Sequence, residues 1–257
     1  MNSTYSVNNL NGRTLFDADV SSNGNWVAVV GLKDIADTAI YLGNEIRLHR
    51  RFRYPIVRIV GHNLFLIVDA RAAKSDPNAS LVSLDSPWKP KTFHAGDGIK
   101  DVIVTTNHIV FTYFDEGVFG DSPISQEGLS VFDHAGTYRF GYLSRLGSAA
   151  VDVADCYAAC HVNGDEIAFC PYTAFPLVNW DLRTGAHSTV RLPSELHGLA
   201  AMTAHRGEYF FHSSYKSRTA IFHYKAGEHR QIGTYDSRLK TLRDGQFLHL
   251  DTDAFPW

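Results

Sequence analysis

The sequence predicts an all-β fold, made of about six copies of one antiparallel unit of four short strands. Of the 257 residues, 44% are hydrophobic and 12% aromatic, which is ordinary for a globular protein and favours strands over helices. Compact apolar strands recur about every 40 residues, and turn-forming residues flank them at matching positions. Together these observations predict a repeat architecture in a single domain, residues 1–257.

The clearest repeated element is a compact apolar strand. Its copies begin 38, 45, 58, 42 and 38 residues apart, and four of these intervals match the length of a four-stranded repeat unit. The long interval contains an acidic, glycine-rich stretch, residues 115–127, which we interpret as a loop insertion. The copies are residues 26–30, 64–68, 109–114, 167–170, 209–212 and 247–250.

Turns and neighbouring strands repeat with the same period. Each copy follows a turn such as Asn163-Gly164 or Asp244-Gly245, and such pairs tolerate the positive φ that tight hairpins require. Another strand precedes each turn, and several of these strands are rich in small residues, which suits strands that crowd around an axis. In five units a third strand ends at a second turn, and a fourth strand follows it.

One of these outer turns, residues 180–185 (WDLRTG), resembles a known motif. It is similar to the Asp-x-x-Thr-Gly outer turn of quinoprotein-type and related propellers. With the repeat, this makes nearly the whole chain resemble the β-propeller superfamily. The Gly-His…Trp-Asp pairs of WD repeats and the double glycine of kelch repeats are absent from the sequence, so the resemblance implies an architecture and no particular function.

The repeat count predicts six blades. The sixth unit stops after its second strand, and a strand-like segment within residues 3–9 precedes the first unit. We expect this N-terminal strand to pair onto the sixth blade and close the ring, which would protect both sheet edges. A five-bladed propeller or paired β-sandwiches, which are also built from short strands and turns, are the alternatives.

Composition restricts the partners and the compartment. The formal net charge is −3, and aromatic residues are not interleaved with basic ones, so the sequence predicts no nucleic-acid partner. No apolar run approaches the ~20 residues that span a bilayer, and the N-terminus does not resemble a secretory leader. We therefore expect a soluble, cytoplasmic protein without a membrane partner.

The three cysteines fit a reducing compartment. Strand alternation places Cys156 and Cys160 on one face of a strand, with Cys170 on the partner strand. We expect buried, unreactive thiols, and a disulfide formed on oxidation is the alternative.

Candidate site residues follow from the predicted fold, because the loops after the second strand of each blade should gather around the mouth of the central channel. Aspartates from different blades (Asp69, Asp115 and Asp251) could divide acid and base roles there. The alternative is that such aspartates accept hydrogen bonds from backbone N–H groups in turns. The ligand-binding candidates are Asp69, Arg71, Asp115, Glu116, Asp121, Tyr172, His197, Tyr215, Lys216 and Asp251.

The insertion at residues 115–127 is the most suggestive loop, because long ordered loops are disproportionately functional. It combines carboxylates, glycines and the exposed-looking pair Val118-Phe119. A calcium ion held by Asp115, Asp121 and Glu127 is a further hypothesis, although the spacing differs from that of an EF-hand. The sequence contains no zinc-ligand spacing, nucleophile elbow or phosphate-binding glycine loop, so it assigns no catalytic residue.

These features favour a binding or interaction module whose loop face, at the central channel, takes a protein or a small polar ligand. The alternative is a glycosidase-like hydrolase or lyase that uses carboxylates and Tyr172 at the channel mouth. A funnel-shaped pocket would favour an enzyme or a small-ligand receptor. A flat apolar face led by Val118 and Phe119 would favour a protein partner.

Overall fold

The computed structural model describes Leu10 and residues 12–72, 76–237 and 239–249. In this part of the chain, strands form six antiparallel sheets, of which five have four strands and the last has two. The predicted all-β class is confirmed. No helix among the described residues is long and apolar enough to cross a membrane.

Each sheet is a meander in which strands that follow one another in sequence are neighbours. The first sheet contains β1 (Thr14–Val20), β2 (Trp26–Leu32), β3 (Ile35–Tyr41) and β4 (Asn44–Phe52). The second contains β5 (Pro55–Gly61), β6 (Leu64–Asp69), β7 (Ala79–Ser83) and β8 (Lys91–Phe93). The third contains β9 (Ile99–Val104), β10 (His108–Tyr113), β11 (Leu129–Asp133) and β12 (Tyr138–Gly141).

The second half of the chain continues this pattern. The fourth sheet contains β13 (Asp155–Asn163), β14 (Glu166–Tyr172), β15 (Pro176–Asp181) and β16 (His187–Arg191). The fifth contains β17 (Ala201–His205), β18 (Glu208–His212), β19 (Ala220–Lys225) and β20 (Glu228–Thr234). The sixth contains β21 (Leu239–Thr241) and β22 (Phe247–His249). Short helices α1 (Asp115–Val118) and α2 (Tyr142–Leu146), and 3-10 turns at Ser125–Glu127, Gly147–Ala149 and Ser194–Leu196, lie in the connections.

The outer turn of the fourth sheet shows why the predicted turns form. The Asp181 carboxylate accepts hydrogen bonds from the backbone N–H groups of Arg183 (2.9 Å) and Thr184 (3.0 Å). Gly185 then takes a positive φ of 79° and donates its N–H to the Asp181 carbonyl. An aspartate followed by a glycine thus satisfies the turn locally, which explains why this motif could be recognised from sequence.

The six sheets form a closed ring, because each packs on the next through an apolar layer and the sixth packs on the first. Four of these layers each contain buried residues of two neighbouring sheets, such as Val29 and Val57, Leu66 and Phe111, Val110 and Phe169, and Cys170 and Phe211. Between the fifth and sixth sheets, the Thr203 hydroxyl donates to the Leu242 carbonyl (2.8 Å). Leu242 and Leu248 complete the ring by packing on Ala18, Val20 and Ala28.

This ring is the predicted six-bladed β-propeller, with β1, β5, β9, β13, β17 and β21 as the innermost strands. Along the axis, Val57 and Ile59 of the second sheet donate their backbone N–H groups to Asp17 and Asp19 of the first (2.8 Å each). The predicted closure by an N-terminal strand concerns residues 3–9, which lie outside the described residues.

The cysteines are buried and free, but their predicted arrangement on β13 is wrong in one respect. A β-bulge between Cys156 and Ala158 shifts the register, so Cys156 and Cys160 do not share a face. Cys156 packs between the third and fourth sheets, whereas Cys160 and Cys170 pack between the fourth and fifth. Burial raises the pKa of all three thiols, which favours the unreactive protonated form.

The insertion at residues 115–127 folds onto the third sheet. It contains α1 and the 3-10 turn Ser125–Glu127, and the buried Ser125 hydroxyl donates to the Asp97 carbonyl (2.8 Å). Val118 packs against the adjoining apolar layer, whereas Phe119 is 74% exposed. The expected exposed pair is therefore a single exposed ring.

Candidate functional site

The strand register fixes which side chains surround each end of the channel. The first residue of an inner strand pairs with the last residue of its neighbour, as Pro55 does with Asp69 and Asp155 with Tyr172. The starts of the inner strands and the loops after the second strands therefore lie on the same face of the ring. We call this end of the channel the mouth.

A cavity of about 260 Å³ opens at the mouth. Its walls are mainly apolar, and its polar groups converge at the inner end, as in many ligand pockets. The walls include Phe16, Tyr54, Ile56, Ile99, Tyr157 and Leu239. The polar lining consists of Asp17, Arg58, Lys100, Asp101, Lys240 and Thr241.

Arg58 is the centre of the cavity floor. Its guanidinium is buried and forms ion pairs with Asp17 (3.1 Å) and with Asp101, while its Nε donates to the Val102 carbonyl (2.8 Å). Burial opposes the positive charge of Arg58, but the carboxylates of Asp101, Asp17 and Asp19 outweigh it and raise the pKa. Arg58 is therefore a permanently charged, fully engaged side chain rather than a titrating one.

Lys240 adds a second cation to this floor. Its Nζ pairs with Asp17 and donates to the Ala18 carbonyl at 3.3 Å, which links the sixth sheet to the first. Burial and the nearby Arg58 lower the pKa of Lys240, although Asp17 and Asp101 oppose this effect. We call the network of Arg58, Lys240, Asp17 and Asp101 the ionic floor. It joins four inner strands, β1, β5, β9 and β21.

The ionic floor lies between two cavities along the channel. A second, much smaller cavity of about 20 Å³ lies beyond it, lined by Asp19, His161 and Arg243. Arg58 and Asp101 border both cavities, so they form the partition between them. The cavity at the mouth and the smaller cavity are therefore distinct, with the ionic floor between them.

An aromatic cluster forms one wall of the mouth. Phe175 is at its centre, stacked on His197 (ring centroids 4.9 Å apart) and edge-on to Tyr157, Tyr172 and Tyr215 (5.3–5.6 Å). Tyr157 and Tyr215 also share a 2.5 Å hydrogen bond between their hydroxyl groups. Of the five rings, Tyr157 lines the cavity, while Tyr172 and Tyr215 remain 41% and 57% exposed.

Two backbone irregularities build this wall. The bulge in β13 leaves Tyr157 without a register partner on β14, and bulges re-aim side chains in this way. Phe175, which is almost fully buried, has a positive φ of 50°, a conformation that costs a bulky residue of order 1–3 kcal/mol. The packing of four rings around Phe175 holds this strained turn in place.

Several predicted site residues lie at the mouth and are engaged in local contacts. Asp69 accepts the backbone N–H groups of Arg53 (2.9 Å) and Tyr54 (3.0 Å), and Asp115 accepts the N–H of Glu116 (2.8 Å). Arg71 pairs with Glu116 and also with Asp97 at 3.2 Å. Thus the carboxylates at these strand ends hold turns and loops together.

The remaining candidates are dispersed. Lys216 pairs with Glu195 (3.1 Å), Asp121 is exposed, and Asp251 lies outside the described residues. The structure brings Tyr172, His197 and Tyr215 together in the aromatic cluster and Arg71 beside Glu116, and none of the candidates among the described residues lines the cavity itself. Ligand binding by any of them stays a prediction.

Two of the three residues of the calcium hypothesis have protein partners. Glu127 accepts hydrogen bonds from the backbone and hydroxyl groups of Ser144, and Asp115 is engaged by Glu116. Among the described residues, no three histidine, cysteine, aspartate or glutamate side chains are grouped as a metal site would require.

Asp155 is an unusual acid at the start of β13. Its Oδ1 is buried without a hydrogen-bond partner among the described residues, and such groups are rare in folded proteins. Burial raises the pKa of Asp155, and the charge of Asp115 adds to this effect while Lys100 opposes it. Asp155 therefore differs in environment from Asp115, which is exposed and accepts a hydrogen bond from the Glu116 N–H at the start of α1.

The sequence did contain a signal for the cavity floor. Arg58 interrupts an apolar strand between Val57 and Ile59, and Asp17 lies between Phe16 and Ala18. A charge inside an innermost strand must find a partner, so these positions indicate a charged channel. Loop position alone could not reveal them.

The sequence matches no known protein family, and no curated protein is similar to it at a significant level. Among solved structures, Hsv2 of Kluyveromyces lactis is similar, with a TM-score of 0.55, 11% identity, and coverage of 90% of this chain and 68% of Hsv2. Virginiamycin B lyase from Staphylococcus aureus, a catalytically inactive variant with quinupristin, is also similar, with a TM-score of 0.50, 12% identity, and coverage of 91% and 90%. At these identities the likeness concerns the fold alone. Together with the closed ring of sheets, it establishes the chain as a β-propeller.

Proposed function

We propose that the chain is a binding module that takes a small ligand in the cavity at the channel mouth. The cavity of about 260 Å³ above the ionic floor is the observation that carries this proposal. A preformed concave site with apolar walls and a few convergent polar groups is the usual form of a small-molecule site. The cavity therefore favours a small ligand over a protein as the binding partner of the loop face.

The exposed apolar residues support the same choice. Phe119 and Tyr215 are exposed at the mouth face, but the adjoining Val118 packs inward, and Tyr172 and Tyr215 flank the cavity rather than extend a flat patch. A protein-docking face would present a contiguous apolar area instead.

A variant that fills the cavity tests the proposal. Ala200 is exposed and lines the cavity, so Ala200→Trp should occupy the pocket without disturbing an apolar core. Ala135→Trp, in the exposed outer turn of the third sheet, is the matched control. Both variants and the unchanged protein would be titrated with monocyclic acids, amines and amides by ligand-observed NMR.

We expect members of this panel to bind the unchanged protein and the Ala135→Trp control, and to lose binding in Ala200→Trp. If no compound binds, or if Ala200→Trp binds as well as the control, the cavity is not the binding site. In that case a protein partner at the loop face becomes the better hypothesis.

A hydrolase or lyase is the second candidate, and the contrast between Asp155 and Asp115 is what favours it. Acid and base roles require two carboxyl groups in different environments, and these two differ in burial and in hydrogen bonding. This activity predicts that a bound compound is converted by the unchanged protein and not by Asp155→Asn. If compounds bind but none is converted, the enzyme hypothesis is rejected and the binding module remains.

A further inference from the structure

The cavity is lined by more positive than negative charge. Its positively charged residues are Arg58, Lys100 and Lys240, and its negatively charged residues are Asp17 and Asp101. Both carboxylates are already engaged within the floor, Asp17 by Arg58 and Lys240, and Asp101 by Arg58. An entering ligand therefore meets a lining whose negative charges are neutralised and whose positive charge is in excess.

Lys100 supplies that excess. Its side chain is exposed, and within the described part of the chain its ammonium forms no hydrogen bond or salt bridge. The carboxylates of the floor are closer partners for Arg58 and Lys240, so Lys100 keeps its donors available. A lysine ammonium carries three such donors and can turn on a flexible stem to meet an acceptor.

Asp155 is the carboxylate whose field reaches Lys100, yet it does not line the cavity. Among the charged residues that line the cavity, Lys100 is therefore the one without an ion pair to another described residue.

The walls define the rest of the ligand. Tyr157, Ile99, Ile56 and Tyr54 present ring and aliphatic surfaces, and Leu239 faces them from the sixth sheet. A volume of about 260 Å³ is at the small end of ligand pockets, which run from roughly 300 to 1,000 Å³. The site therefore has room for one ring with a short polar arm.

We propose that the cavity binds a small organic acid whose carboxylate is held by Lys100 and whose apolar ring packs against Tyr157 and Ile99. One available ammonium matches the single charge of a carboxylate better than the larger charge of a phosphate monoester, about −1.5 to −2 at pH 7. Arg58, the residue suited to bidentate phosphate recognition, is already occupied by the floor carboxylates. This inference rests on the proposed function and names its ligand class.

Four probes with one ring and different polar groups test the charge assignment: 3-phenylpropionate, 3-phenylpropanamide, 3-phenylpropylamine and phenyl phosphate. Their dissociation constants would be measured by ligand-observed NMR for the unchanged protein, Lys100→Gln and Lys89→Gln. Lys89 is an exposed lysine in the outer turn of the second sheet, away from the mouth, so its variant controls for the loss of one charge.

We expect 3-phenylpropionate to bind about tenfold more tightly than the amide, and the amine to bind most weakly. Lys100→Gln should remove that tenfold preference and leave the affinity of the amide unchanged, while Lys89→Gln should change neither. Equal affinity for acid and amide, tighter binding of the amine, or a preference for phenyl phosphate would each overturn the assignment of a carboxylate.

The two proposals fail in different ways. If the amide binds and Ala200→Trp abolishes its binding, but the acid gains nothing from Lys100, then the cavity is a ligand site and only the ligand class is wrong. If none of the four probes binds the unchanged protein, the organic-acid assignment is overturned, and the wider panel then decides whether the cavity binds any small ligand.

Discussion

Arg58 shows how a charged side chain can be accommodated on an innermost strand. Three features of its position conflict with one another, because a charge that is buried on an innermost strand costs free energy unless it is paired. They become compatible because Asp17 and Asp101 neutralise it and the carbonyls of Val57 and Val102 accept its remaining N–H groups. A buried ion pair of this kind adds little net stability, but breaking it leaves charges without partners.

Replacing Arg58 should therefore be far more costly than replacing an exposed arginine. We expect Arg58→Met to lower the free energy of unfolding by about 3–5 kcal/mol, because Asp101 would lose its ion-pair partner and the buried Asp17 would keep only Lys240. Arg47→Met is the control: Arg47 is 71% exposed and pairs with Asp37, and such surface pairs contribute about 0–1 kcal/mol. Urea unfolding measures both losses. Similar small losses would show that the ionic floor does not depend on Arg58.

Turns of neighbouring sheets are held together by specific hydrogen bonds as well as by apolar layers. Asp165, in the turn between β13 and β14, accepts bonds from the turn between β9 and β10. Its partners are the Thr105 hydroxyl (2.7 Å), the Asn107 backbone (2.9 Å) and side-chain (2.6 Å) N–H groups, and His108 Nδ1 (3.1 Å). Burial opposes ionisation of Asp165, but the hydrogen bonds from Asn107 and Thr105 outweigh it and hold the pKa well below its usual range.

These hydrogen bonds to Asp165 should make the stability of the protein depend on pH. The pKa of Asp165 is lower in the folded state than the value of about 3.9 in unfolded chains, so its stabilisation is complete at neutral pH and is lost as the pH falls through the acid range. Asp165→Asn should therefore cost about 1–3 kcal/mol at pH 7, and the difference from the unchanged protein should shrink below about pH 4. Urea unfolding between pH 3 and 7 measures this. The exposed Asp121→Asn is the control, and a constant difference for Asp165→Asn would contradict the linkage.

Sequence reasoning could recover elements whose determinants are local. The outer turn at Asp181 is satisfied within five residues, so its pattern is readable along the chain. The ionic floor is different, because Arg58 and Asp101 are 43 residues apart and meet only when the second and third sheets pack together. Tyr157 faces the cavity because of a bulge that strand alternation cannot reveal. The candidates chosen by their position in loops therefore lie around the mouth, whereas side chains of the inner strands form the cavity.

Closure of the ring concerns the whole molecule. A row of sheets would leave the first and last exposed, whereas here Lys240 pairs with Asp17 and Arg243 with Asp19 (3.9 Å) across the seam between the sixth and first sheets. Arg243 also donates to the Ile59 carbonyl of the second sheet (2.8 Å). Apolar packing of Leu248 and Leu242 on Ala18 and Ala28 covers the same seam. The mouth cavity depends on this closure, since Leu239, Lys240 and Thr241 form one side of it.

A mutation at the seam should consequently weaken the entire fold rather than its end. Leu248 is buried against the first sheet, so we expect Leu248→Ala to lower the free energy of unfolding by about 2–3 kcal/mol. Ile232→Ala, on the outer strand β20 where Ile232 is 48% exposed, should change it by no more than about 0.5 kcal/mol. Urea unfolding followed by tryptophan fluorescence and by far-ultraviolet circular dichroism distinguishes a closed ring from a sixth sheet that is only an appendage. In a closed ring, both signals shift together to lower urea. If the sixth sheet were only an appendage, Leu248→Ala would instead leave the main transition in place, because the other five sheets would not depend on it.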